Sequence, residues 1–198
     1  FIITHTGLFA ADGNPTTLWK VLSEKCAKDE TFGKALQIHL VGKTDSQILE
    51  SIESAGLGEK VTDMGYQPHN AAIQEQRKAS LLILPLRKEP EYKAVLPGKV
   101  FEYLASWRPV LGIGQPDGAM SLILNTTKTG VVLDWEDKAS LECFVNLCWE
   151  RHLKGELRVE DADLGQFTRM ELTRKMVKLF ERTVGHKNGT FCSLNSKK

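Results

Sequence analysis

Short apolar runs alternate with amphipathic segments along most of the chain. The runs are of strand length and predict buried β-strands at residues 1–5, 36–41, 60–64, 81–85, 110–113 and 131–133. Between them, apolar residues recur at helical spacing, as at Leu18, Val21, Leu22 and Cys26. Strict alternation of this kind predicts an α/β fold, a doubly wound parallel sheet of about six strands with helices on both faces.

Residues that start and stop helices stand at the edges of the amphipathic segments. Asn14 before Pro15 is typical of a helix start, Asp45 can cap a second helix, and Gly56 can end it. With these boundaries, the helices are predicted at residues 15–26, 45–55, 68–79, 97–105, 120–124, 137–153 and 167–183.

Length and composition suggest one large domain. We expect residues 1–183 to form it and residues 184–198, which are rich in Gly, Asn, Ser and Lys, to be a loose tail. Because the chain opens at Phe1 inside a predicted strand, we expect a fragment of a longer protein. No apolar run is long enough for a membrane span and no signal peptide is visible, so we expect a cytoplasmic location.

Charge and cysteine content exclude two other classes. The 26 Lys and Arg residues nearly balance 25 Asp and Glu residues, which argues against a general nucleic-acid binder. The 4 cysteines form no C-x-x-C pair, so we expect no metal site. Cys26, Cys143 and Cys148 lie in helical patterns and are expected to be buried and reduced.

The segment with the clearest candidate chemistry is the predicted helix start at residues 97–105. Parallel sheets bind ligands at the carboxyl ends of their strands, where this helix would begin with free N–H groups from Gly98 onward. Lys99 adds a positive charge, and Glu102 lies one turn further on the same side. A carboxylate suits a ribose diol, so the pair is typical of a nucleotide site. The alternative is a surface ion pair between Lys99 and Glu102.

Here the sequence resembles a known family. Residues 97–105 read Pro-Gly-Lys-x-Phe-Glu-Tyr-Leu-Ala, and residues 108–111 read Arg-Pro-Val-Leu. This run resembles the nucleotide-binding segment of GT-B glycosyltransferases, particularly the retaining family 4. Weaker similarities lie at residues 6–8, 65–69, 79–86 and 167–180, so that the resemblance covers about residues 1–183.

The resemblance implies the C-terminal, donor-binding half of a two-domain glycosyltransferase, with the acceptor-binding half absent. In that case Glu102 holds the ribose hydroxyls, Lys99 and Gly98 lie near the diphosphate, and Gly7 lets the backbone approach the phosphate. The enzyme would transfer a sugar, a hexose by resemblance, from a UDP-, GDP- or ADP-sugar to an acceptor hydroxyl with retention. A role in polysaccharide synthesis is common in the family.

The same resemblance assigns the base to the loop at Tyr66 and Pro68, largely through backbone groups. It implies no cofactor besides the donor substrate and leaves the catalytic residues unknown. Any contact with a membrane, as a peripheral protein at its inner face, would come through the absent half. This half alone is expected to be inactive.

Two positions depart from the family pattern. Ala94 stands where many members carry a second Glu, and Leu8 stands where many carry an Arg. Phosphate charge would then be met by Lys99, by helix ends, or by the loop bases Arg87, Lys88 and Lys93. These departures keep open a non-catalytic nucleotide-binding module or a degenerate glycosyltransferase.

A further alternative is an NAD(P)-binding Rossmann domain. The glycines within residues 112–118 follow a predicted strand, and Asp134 lies 20 residues after Gly114. The spacing is G-x-G-x-x-x-G, and Pro116 interrupts it. An ordinary turn between a strand and a helix is the better account of these glycines.

Overall fold

A computed structural model describes the backbone of residues 1–159 and 164–190 and the side chains of residues 1–159 and 164–184. The chain divides into two compact units, Phe1–Ala162 and Asp163–Lys198. The first unit contains the sheet and every residue of the candidate site.

One parallel sheet runs through the first unit. Its strands are β1 (Ile2–Thr6), β2 (Gln37–Val41), β3 (Val61–Asp63), β4 (Leu81–Pro85), β5 (Val110–Ile113) and β6 (Gly130–Leu133). They lie in the order β3-β2-β1-β4-β5-β6, and every neighbouring pair is parallel. The predicted doubly wound α/β sheet of six strands is confirmed.

Seven helices belong to the described part of the first unit. They are α1 (Thr16–Lys28), α2 (Glu30–Ala35), α3 (Ser46–Ser54), α4 (His69–Lys78), α5 (Lys99–Ser106), α6 (Ala119–Thr127) and α7 (Lys138–Leu153), and short 3-10 turns lie at Ala11–Gly13, Gly58–Lys60 and Pro90–Ala94. The pattern did not predict α2. It is six residues long, it buries only Phe32, and the Asp29 side chain caps it by accepting from the Phe32 N–H at 3.0 Å.

The strand order reverses between β1 and β4, which is where this fold binds ligands. From β1 the chain continues to β2 on one side of the sheet, and from β4 it continues to β5 on the other side. A crevice therefore opens above the carboxyl ends of β1 and β4. The four central strands are almost entirely buried, and β4 and β5 are accordingly apolar along their whole length.

The described part of the second unit consists of a 3-10 turn at Gly165–Phe167 and α8 (Arg169–Thr190). This helix continues past the boundary expected at residue 183, and residues 191–198 of the expected tail lie outside the described residues. Within the described residues, no helix has both the length and the apolar composition needed to cross a membrane.

Candidate functional site

Three glycine loops form the floor of the crevice at the carboxyl ends of β1, β2 and β3. Gly7, Gly42 and Gly65 all have positive φ, of 95°, 126° and 59°. The Gly7 N–H donates to Val41 O at 2.6 Å and the Gly42 N–H donates to Gly65 O at 2.7 Å. A Cβ on Gly42 would overlap the Gly7 carbonyl, so these loops meet only because the residue is glycine. The floor is therefore a rigid, hydrogen-bonded surface.

Lys99, the first residue of α5, lies directly against this floor. A Cβ on Gly7 would overlap Nζ and Cε of Lys99, so the space beside this glycine is occupied by the ammonium group. Burial lowers the pKa of Lys99, and the negative charge of Glu102 opposes that shift. The opposite charges interact at a distance but form no ion pair within the described residues, so the predicted alternative of a surface pair is wrong.

His5 lies beneath Lys99 at the end of β1. Its ring is buried, Nδ1 lies 3.1 Å from Ile83 O, and Nε2 lies 3.3 Å from Leu8 O. Burial and then the charge of Lys99 lower the pKa of His5 to about 4, against the two carbonyl contacts, which raise it. The imidazole is therefore neutral at neutral pH, and Lys99 supplies the positive charge here.

Glu102, one turn after Lys99, lies exposed above a buried polar network. Gln76 of α4, which is 1% exposed, donates through Nε2 to Oε2 of Glu102 at 3.3 Å and to Oγ1 of Thr6 at 3.1 Å. The Thr6 N–H donates to the hydroxyl of Tyr103 at 2.9 Å. Burial raises the pKa of Tyr103 to about 12, so its hydroxyl remains protonated. The network joins the end of β1 to both helices beside Glu102.

Successive turns of α5 line two cavities. The first has a volume of about 280 Å³, lies above β1 and β4, and is lined by Lys99, His5, Asp12, Arg87 and Tyr92 among others. The second has a volume of about 250 Å³, lies between α4 and α5, and is lined by Glu102 and Gln76 with mostly apolar neighbours. A charged group could occupy the first cavity while a diol reaches Glu102 at the second.

The basic residues of the loop at 87–96 already have carboxylate partners. Arg87 Nε lies 3.0 Å from Oδ2 of Asp12, Lys88 pairs with Glu136 at 3.2 Å, and Lys93 pairs with Asp117. Arg87 also lies over the ring of Tyr92. Of the bases that the sequence offered for phosphate charge, only Lys99 has no ion pair among the described residues.

The other predicted site residues lie at the edge of the first cavity or outside both cavities. Gly98 is the exposed N-cap of α5 and lies at the edge of the first cavity, with open space where a Cβ would stand. Tyr66 is 88% exposed, and Pro68 is the N-cap of α4; neither lines either cavity. The structure thus brings Gly7, Lys99 and Glu102 together and leaves the predicted base loop apart, at the β3 edge.

Packing accounts for the glycines of the dinucleotide-binding alternative. A Cβ on Gly112 would overlap Met120 and Val132, and one on Gly114 would press against Leu86. Asp134 accepts a hydrogen bond from the Glu136 N–H at 2.9 Å and so closes a local turn. These residues serve the contacts of β5 and β6 with their neighbours.

Sequence reasoning missed His5, Thr6 and Gln76 as parts of the site. Only Gln76 left a signal in the sequence, because an amide stands on the apolar face of its helix together with Ile73 and Ala79. A polar residue at such a position is buried and needs partners. Its partners lie far away in sequence, so the pattern could not name them.

The sequence matches no protein-family model and no curated protein. Solved structures do share its fold. Sucrose-phosphate synthase from Thermosynechococcus elongatus superposes with a TM-score of 0.69 at 16% identity, over 93% of this chain and 46% of the synthase. HepE from Anabaena, solved in complex with UDP and glucose, gives 0.64 at 16% identity, over 92% of this chain and 48% of HepE.

The chain therefore spans about half the length of these two proteins. A third solved structure consists of one domain and is covered to the same extent as this chain. It is the C-terminal domain of LpcC, a group 1 family glycosyl transferase from Francisella tularensis, which superposes with a TM-score of 0.59 at 10% identity over 86% of each chain. At such identities the likeness concerns the fold. This chain has the fold of the C-terminal domain of the GT-B glycosyltransferases.

Proposed function

We propose that this chain binds a nucleotide sugar through its diphosphate and ribose, as the donor half of a glycosyltransferase. The observation that carries the proposal is the placement of an unpaired, half-buried Lys99 ammonium at the reversal of strand order, one helical turn from the exposed Glu102 carboxylate. The first group suits a diphosphate and the second suits a ribose diol.

The lowered pKa of Lys99 supports an anionic ligand. Burial makes the charged form of Lys99 costly, and a bound diphosphate would offset that cost. The leaving nucleoside diphosphate of a sugar transfer gains negative charge, which fixed positive groups stabilise. In this chain that role falls to Lys99 and to the free N–H groups at the start of α5.

Calorimetric titration with UDP, GDP, ADP and NAD tests this function directly. We expect saturable binding of at least one nucleoside diphosphate. Glu102→Ala should weaken it roughly 10- to 150-fold, since hydrogen bonds to a charged group contribute about 1.5–3 kcal/mol. The matched control is Asp134→Ala, which removes a half-buried carboxylate that lines neither cavity and should leave the affinity unchanged.

Two results would contradict the proposal. One is the absence of binding to all three nucleoside diphosphates by a folded sample. The other is binding of NAD that is lost in Asp134→Ala and kept in Glu102→Ala, because only the dinucleotide alternative predicts it.

A second function, nucleotide-sugar binding without transfer, is favoured by a separate observation. Position 94 carries an alanine, and every base of the loop at 87–96 forms an ion pair with a carboxylate. Among the described residues that line the first cavity, Lys99 therefore carries the only unpaired charge. Donor binding by the full-length protein, with neither transfer nor release of free sugar on long incubation, would favour this function.

A further inference from the structure

Among the described residues, Gln76 is the only buried amide side chain in contact with the candidate ribose-binding carboxylate. Its Nε2 group has two hydrogens and two acceptors, Oγ1 of Thr6 at 3.1 Å and Oε2 of Glu102 at 3.3 Å. Because both acceptors demand the NH₂ end, the orientation of the amide is fixed by its surroundings.

The amide contact restrains Glu102 without satisfying it. One carboxylate oxygen accepts from Gln76, and the described residues offer no second side-chain donor to either oxygen. Glu102 is exposed, and it lines the 250 Å³ cavity. A diol needs two acceptors held at one fixed spacing, and a carboxylate fixed at one oxygen presents them in that way.

Gln76 is itself held from the sheet side. Thr6, its second acceptor, ends β1, and the Thr6 N–H donates to Tyr103, which adjoins Glu102 on α5. The contacts close a ring that runs from β1 through Gln76 and Glu102 to Tyr103 and back to β1. Movement of the Glu102 carboxylate would therefore break its hydrogen bond to Gln76.

Gln76 also carries an unusual cost. Its Oε1 is buried and has no hydrogen-bond partner among the described residues. A buried unsatisfied carbonyl is unfavourable, and a hydrophobic residue would fill this position on α4 without that penalty. The amide leaves Oε1 without a hydrogen bond while its two hydrogens are directed at Thr6 and Glu102. This orientation indicates a functional constraint.

We propose that Gln76 is a positioning residue, which pre-orients the Glu102 carboxylate for the two hydroxyls of a ribose and so makes the site selective for ribonucleotides. The inference rests on the proposed function. Without the amide, Glu102 must be ordered when the nucleotide binds, and the affinity falls by the cost of immobilising one side chain, roughly threefold to tenfold.

The test compares each of UDP, GDP and ADP with its 2′,3′-dideoxy form. We expect the protein to prefer the ribose form, and Gln76→Met to reduce that preference threefold to tenfold while the affinity for the dideoxy form stays unchanged. Met keeps the length and approximate volume of Gln. Gln74→Met, at an exposed position of the same helix, is the matched control and should keep the full preference.

A second variant gives a readout that damage to the fold would not produce. In Gln76→Glu a carboxylate faces Glu102, and like charges at this distance raise the pKa of one of them. The preference for ribose should therefore be lost at pH 7.5 and partly recovered near pH 5, where a protonated acid can donate again. The parent protein should show no such recovery.

The outcomes separate the two proposals. Loss of ribose preference in Glu102→Ala with full preference in Gln76→Met overturns the role of Gln76 and leaves the proposed function standing. An equal loss of affinity for both forms in Gln76→Met overturns it too, because it marks structural damage. No ribose preference in the parent protein overturns both proposals. If Gln76→Met does not fold, the side-chain amide resonance of Gln76 in the parent protein replaces it, and an unchanged resonance in Glu102→Ala overturns the role.

Discussion

The ionisation of His5 depends on its place between β1 and Lys99. Its pKa is lowered from 6.5 to about 4, so the folded protein keeps the ring neutral where an unfolded chain would bind a proton. Unfolding therefore takes up a proton between these two pH values. The free energy of unfolding must fall as the pH drops through this range, and it is unaffected by His5 above it.

We expect this single group to lower the free energy of unfolding by about 3 kcal/mol between pH 7 and pH 4. The His5 ring signal in an NMR titration should move only near pH 4, and urea unfolding of His5→Gln should lose this part of the pH dependence. His69→Gln, at an exposed site, is the control. An ordinary titration of His5 near pH 6.5 would contradict the burial argument.

At the scale of single residues, the sequence identified the charged residues of the site but not the buried polar residues that contact them. Lys99 and Glu102 could be predicted because they stand one helical turn apart in a short motif. Gln76 and Thr6 acquire their roles through contacts across 26 and 70 residues of sequence separation, which no local pattern contains. The cysteine prediction shows the same limit: Cys148 is buried as predicted, but Cys26 is half-buried and Cys143 is exposed. Helical spacing alone does not say which face of α7 is covered.

The ends of strands and helices are set by two kinds of glycine. Gly42 after β2 and Gly56 after α3 both have positive φ, at 126° and 75°. A Cβ on Gly42 would strike the Gly7 backbone, whereas the space around Gly56 is empty. The first glycine is needed for a close approach of two loops, and the second only for its backbone angle.

Alanine at these two positions should separate the two effects. Gly56→Ala pays the cost of a left-handed conformation, about 1–2 kcal/mol in the free energy of unfolding. Gly42→Ala adds a clash with backbone atoms that cannot rotate away, and we expect a loss above about 3 kcal/mol. Urea unfolding of both variants measures the difference. Equal losses of the free energy of unfolding in the two variants would show that the loops at Gly7 and Gly42 can move apart without an energetic cost.

Two kinds of residue mark the starts of the predicted helices. Asp45 caps α3 by accepting from the Gln47 N–H at 3.0 Å, and Asp137 caps α7 by accepting from the Ser140 N–H at 3.0 Å. Prolines mark three other starts: α1 and α4 begin one residue after Pro15 and Pro68, and α5 begins two residues after Pro97. A proline fixes its own φ and offers its carbonyl to the helix, but it has no side-chain acceptor for the helix N–H groups.

At the scale of the molecule, strand content was predictable and strand order was not. Short apolar runs predicted all six strands, and β4 and β5 show no polar alternation because a parallel sheet is covered on both faces. The order β3-β2-β1-β4-β5-β6 depends on crossovers that the sequence does not encode locally. The order nevertheless decides function, because it places the reversal, and hence the crevice, between β1 and β4.

This geometry predicts where a nucleotide leaves its footprint. All six strands are parallel, so their carboxyl ends, the glycine loops and the start of α5 share one edge. Hydrogen exchange with a saturating nucleoside diphosphate should slow at residues 6–9 and 97–103. Exchange at the opposite edge should not change, although a cavity of about 340 Å³ opens there beside Pro109, Lys128 and Gly130.

Protection at residues 128–131 instead would place the ligand at the amino ends of the strands and contradict the assignment of Lys99 and Glu102. The control is Glu102→Ala at the same nucleotide concentration, in which the protection at residues 97–103 should weaken in proportion to the lost affinity. Protection that persists unchanged in this variant would mean that the nucleotide binds at the expected edge without using the carboxylate. The footprint therefore tests the edge of the sheet and the variant tests the residue, so that an error in either one can be recognised separately.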